Sequence, residues 1–170
     1  MLKGLDEILN ACTEFISDID EELEDVQVST VFECYPTTKE VFITVVAEEF
    51  GIDEFLENLL SRTTVRDISP FTWALLHEVG HCETWHSMGE KVEHRCRNLK
   101  RKIERGGKRF PTSMYFGLTD ERIATNWAIK FVSENHDFVK AFDEKILKIL
   151  DNFYLENDVD FDITDITEVA

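Results

Sequence analysis

Between Leu2 and Asp25 the hydrophobic positions recur three and four residues apart, at Leu5, Ile8, Leu9, Cys12, Phe15, Ile16, Ile19 and Leu23. That spacing predicts a helix with one buried stripe and an acidic outer face. The period then changes. Val26, Val28, Val31 and Phe32, followed by Val41, Ile43, Val45 and Val46, are β-branched and aromatic runs on either side of Tyr35-Pro36-Thr37-Thr38-Lys39. They read as a hairpin whose turn is forced by Pro36. Ala47 to Leu60 reads as helical again, with an interruption near Gly51.

Ser69-Pro70 is a strong helix start, because Ser is a good N-cap and Pro is tolerated at the first helical position. The helix it opens continues through Trp73, Leu75, Leu76 and Val79 to about Trp85. Lys91 to Glu104 predicts a charged, solvent-facing helix stopped by Gly106-Gly107. Thr119-Asp120-Glu121 reads as the cap of a further helix that buries Ile123, Ala124, Trp127, Ala128, Phe131 and Val132. A last helix is expected over roughly Phe138 to Leu155. From about Glu156 to Ala170 the chain is an acidic tail with weak structure or a short edge strand. The expected class is α+β, a single domain over residues 1–170 with several helices and one small sheet built on the hairpin.

Composition sharpens this picture at two points. The formal charge of −17 repels phosphate backbones and anionic membrane surfaces, so neither nucleic acid nor membrane is an expected partner. Cys12, Cys34, Cys82 and Cys96 are scattered, with no Cys-x-x-Cys pair. They read as reduced, partly buried thiols rather than a zinc ribbon. The first residues lack a basic segment followed by an apolar run, and no apolar stretch is long enough to span a bilayer. The cytoplasm is the expected compartment.

Candidate chemistry centres on His77-Glu78-Val79-Gly80-His81. Residues four apart on a helix share a face, with Cβ atoms about 5–6 Å apart, so both imidazoles can reach one tetrahedral Zn²⁺. Glu78 follows the first ligand, where its carboxylate can take the proton of a metal-activated water as general base. Gly80 costs a mid-helix position up to about 1 kcal/mol relative to Ala. It makes sense if another element packs closely beneath this turn.

A catalytic zinc site needs a third protein ligand. Glu121 is the leading candidate, since its face continues through Ala124, Thr125 and Ala128 and points inward. Asp120 in the same turn and His86 beyond the helix remain rivals. His86 lies one residue short of the HExxHxxGxxH spacing, and Thr84 occupies the place of that pattern's glycine. Tyr115 is a candidate donor to a tetrahedral oxyanion. The basic run from Arg95 through Arg97, Lys100, Arg101, Lys102, Arg105 and Lys108 to Arg109 reads as a solvated face, with a substrate or partner patch as the alternative.

Leu75-Leu76-His77-Glu78-Val79-Gly80-His81, taken with Glu121-Arg122-Ile123-Ala124-Thr125-Asn126-Trp127-Ala128, resembles the ImmA/IrrE-type metallopeptidases. That family pairs H-E-[LIV]-[GA]-H with a later helix of the form E-x-E-A-N-x-F-A that supplies a glutamate ligand. Here Ile123 replaces the second acid, Thr125 replaces the Asn, and the gap between the motifs is longer. The resemblance covers about half the chain, from the hairpin to Phe131. It implies a zincin-like fold, a zinc ion held by His77, His81 and Glu121, and peptide-bond hydrolysis in a specific protein, such as a regulator, in a phage or mobile-element setting. The alternative is an inactive zincin-like interaction protein that uses its acidic surface to bind a basic partner.

Overall fold

The computed structural model describes residues 2–23, 25–45, 52–106 and 112–157. Helix α1 (Leu5–Ile19) leads into a small sheet of β1 (Val26–Val28), β2 (Glu33–Tyr35) and β3 (Glu40–Ile43). Then come α2 (Ile52–Leu60), α3 (Pro70–Thr84) with a 3₁₀ turn at Trp85–Ser87, and α4 (Glu90–Gly106). The chain continues through α5 (Thr112–Phe116), α6 (Thr119–Glu134) and α7 (His136–Asn157). The α+β class expected from the periodicity is what these elements form. The expected helix start before Gly51 and the tail from residue 158 lie outside the described residues, while Glu156 and Asn157 still belong to α7. Among the described residues, no helix is long and apolar enough to cross a membrane.

The sheet is richer than a hairpin. β2 and β3 do form one, antiparallel with Cys34 opposite Val41, around a turn at Pro36–Lys39. β1 is a separate strand that pairs parallel with the other side of β3, Val26 opposite Val41, giving the order β1-β3-β2. The run from Val26 to Phe32 is therefore two elements, broken at residues 29–32, and Val31 is left 47% exposed. α1 also ends earlier than its apolar stripe. Asp20 turns extended, accepts the Glu22 amide at 3.0 Å and pairs with Lys39 of the β2–β3 turn. An Asx turn of this kind offers the backbone an alternative to helix. Leu23 reaches the core from that turn rather than from a helix.

α1 and α7 pack side by side through Phe15 and Phe142, whose rings stack at 3.8 Å between centroids. α3 runs through the middle of the molecule, between β2 and α6. Its start is as expected, with Ser69 as N-cap accepting the Thr72 amide and Pro70 in the first turn. Thr72 to His77 is buried without a break, so this helix has no solvent stripe. α6 differs in detail: its N-cap is Leu118, and Thr119 is already helical. α3 and α6 make the most extensive helix contact among the described residues.

Gly80 sits where the two helices meet. A Cβ there would lie 2.6 Å from the Ala124 carbonyl oxygen and 3.2 Å from its Cα. The close approach expected beneath the turn that carries His77 and His81 is present, and its partner is backbone. In an open helix Gly→Ala stabilises by up to about 1 kcal/mol. Here overpacking outweighs that gain, and Gly80→Ala is expected to lose about 2 kcal/mol in denaturant unfolding. Since the clash is with main-chain atoms, Ala124→Gly in the same chain should not restore the loss.

Candidate metal centre

Three side chains from two helices converge under the β2 edge. His77 and His81 project from one face of α3, with ring centroids 4.7 Å apart. Glu121, in the first turn of α6, is 2% exposed. Its Oε2 lies 2.9 Å from His77 Nε2 and its Oε1 3.3 Å from His81 Nε2. One donor atom from each of the three buried residues lies within 4.8 Å of the other two. Two imidazoles and a carboxylate on one side of a cavity are a donor set that can hold a metal ion. Burial alone would raise the Glu121 pKa, but the hydrogen bonds and charge of His77 and His81 outweigh it and hold the carboxyl well below its ordinary value.

Supporting contacts fix these groups in place. Thr125, one turn after Glu121, has its hydroxyl 3.2 Å from His77 Nδ1. A hydroxyl can donate to that nitrogen while Nε2–H faces the carboxylate, and can accept from Nδ1–H when Nε2 is turned to a metal. Phe55 of α2 packs edge-on against the His77 ring at 4.8 Å. Thr125 thus stands beside the first histidine of the cluster.

Glu78 borders the same cavity of about 570 Å³, together with His77, His81, Tyr115 and Glu121. Burial, with the negative charge of Glu121 adding to it, holds its carboxyl above the ordinary value, against the pull of His77 and the nearby Cys34 thiol. All four cysteines are free, as expected from their spacing. Tyr115 is carried on α5, a short helix that periodicity did not predict. Burial and the Glu121 charge push its phenol above the ordinary range.

The rival ligands stand apart. Asp120 is buried, but its Oδ2 faces Lys100 Nζ at 2.7 Å rather than the histidines. His86 is exposed on the 3₁₀ turn and borders a different hollow with Asp20 and Lys39. His94 is exposed and bonds Asn98 on its own helix. Lys100 is the member that sequence reasoning missed. From α4 its ammonium reaches Asp120 and, at 2.5 Å, Glu121 Oε1, and it lies 5.1 Å from the Tyr115 ring centre. No periodic signal distinguishes it from its exposed basic neighbours.

Searches against family models, curated proteins and solved structures find no match.

If the donor set holds a metal, Zn²⁺ titration should raise the melting temperature of the wild-type chain by mass action, and His77→Ala or His81→Ala should abolish the shift. Thr125→Val keeps the shape of the side chain and removes the hydroxyl. It is expected to weaken zinc affinity about tenfold or more in a chelator competition.

Proposed function

We propose that this chain is a zinc-dependent peptidase of zincin-like architecture. The observation that carries the reading is the joint placement of His77, His81 and Glu121 in one buried cluster with Glu78, the residue after the first ligand, on the same cavity. The resemblance to ImmA/IrrE-type metallopeptidases rests on the two motifs that meet there, and it suggests a regulatory protein as substrate. The donor set suits zinc, which when bound would supply Lewis acidity and lower the pKa of a water.

The residues then divide the work. Glu78 accepts a proton from the attacking water, whose oxygen forms a bond to the scissile carbonyl carbon. As the C–N bond breaks, the same carboxyl returns the proton to the leaving nitrogen, leaving a carboxylate and an amine. Tyr115 is suited to donate a hydrogen bond to the oxyanion that develops in between. Thr125 and Phe55 hold the His77 ring in orientation. β2 is an edge strand, and Glu33, Cys34 and Tyr35 line the cavity. An extended peptide can add to such an edge through backbone hydrogen bonds, which brings a carbonyl over Glu78.

Glu78→Gln decides the reading. The variant is expected to bind zinc like wild type and to cleave peptides about 100-fold more slowly or worse, because an amide cannot take the proton. Loss of metal in this variant, or no cleavage of any peptide by the zinc-loaded wild type, would sink the peptidase reading and favour an interaction protein. Elemental analysis separates the ligands. Glu121→Ala should lower zinc content, whereas Asp120→Ala and His86→Ala should keep most of it.

A further inference from the structure

In a chain of net charge −17, the cavity beside the metal cluster has a basic wall. It comes from α4, which is turned back toward the cluster after Gly89, a residue in the left-handed conformation with φ 80°. Arg97, Lys100 and Arg101 all border the cavity. Lys100 is already engaged by Asp120 and Glu121. Arg97 and Arg101 are exposed, and neither makes an ion pair with a described residue. They are four residues apart and so lie one above the other on the helix, on a face next to Lys100. The guanidinium of Arg97 is 5.9 Å from the centre of the Trp85 ring, a cation–π contact that gives it a platform.

The acids on the same cavity do not consume these charges. Glu121 is held by the two histidines and Lys100, Asp120 by Lys100, and Glu33 accepts the Ser29 hydroxyl at 3.0 Å. Glu78 is the neighbour of Cys34. Two planar guanidiniums that pair with no described carboxylate form a site for one, because their N–H groups match its two oxygens.

We infer that Arg97 and Arg101 form a carboxylate-binding subsite of this cavity, which selects peptides carrying a carboxylate within a residue or two of the bond held at the metal cluster. The contact of Lys100 with Glu121 sets that nearness. The carboxylate can be an Asp or Glu side chain or the free C-terminus of a peptide. The position of the scissile bond rests on the peptidase reading, whereas the subsite itself does not.

The test uses the entire 170-residue, zinc-loaded chain with Glu78→Gln, so that bound peptide is not turned over. Three labelled peptides are compared by fluorescence anisotropy. One is amidated with a single central Glu, one is its Gln counterpart, and one is neutral with a free C-terminal carboxylate. The Glu peptide is expected to bind at least about tenfold more tightly than the Gln peptide. Adding Arg97→Ala and Arg101→Ala should erase that preference and leave Gln-peptide binding unchanged, which also reports that the chain is folded. Preference for the C-terminal carboxylate peptide, lost in the same double variant, would assign the subsite to chain ends. Equal binding of all three peptides, or a preference that survives the double variant, overturns the inference. Tight binding of the Glu peptide that the chain with Glu78 intact never cleaves would uphold the subsite while removing the peptidase reading.

Discussion

α3 can bring its histidines to Glu121 because residue 80 has no side chain. The Ala124 carbonyl occupies the space a methyl group would need, and this sets the separation of α3 and α6. The two helices carry the three donors and Thr125, so the cluster inherits its dimensions from one backbone contact. A donor set spread over two helices needs such a constraint, since small shifts in the distance between helices carry straight into ligand geometry. The burial of α3 on every side serves the same end, because neighbours all around hold its axis and rotation.

Around this contact the buried charged groups are linked by ion pairs. Glu121 is shared among two imidazoles and Lys100, and Lys100 is shared with Asp120. A carboxylate this buried is costly alone, so each partner offsets part of its desolvation. The network also joins α4 to the helices beneath it. α4 has a strongly polar composition, and Cys96 is its buried residue among those described. It is positioned as much by these charges as by apolar packing.

Much of the site was legible before the fold was known. The Ser69-Pro70 start, the shared face of His77 and His81, the inward face of Glu121 and the need for Gly80 all follow from local rules of helix geometry. What those rules could not supply is tertiary. Lys100 belongs to a basic run with no periodic mark, and only the docking of α4 singles it out. The run from Val26 to Phe32 looks like one strand because its residue types suit strands. Parallel pairing of β1 with β3 requires the chain to break and return, and nothing in β propensity encodes that. α5 is too short for a hydrophobic period to register, and Leu118 caps α6 without any side-chain hydrogen bond to announce it. The broad class could be read from spacing, while the partners of the charged groups could not.

The segregation of charge in this molecule has a consequence for how it sorts anions. At physiological ionic strength the field of a charge fades over about 8 Å, so a ligand feels mainly the groups near it. A single carboxylate bound between Arg97 and Arg101 would feel those two charges most strongly and more distant groups little. A long polyanion would also meet charges beyond that reach, in a chain whose net charge is −17. If Arg97 and Arg101 form the inferred subsite, the basic wall would act as a filter on length, open to one or two negative charges and increasingly closed to a chain of them.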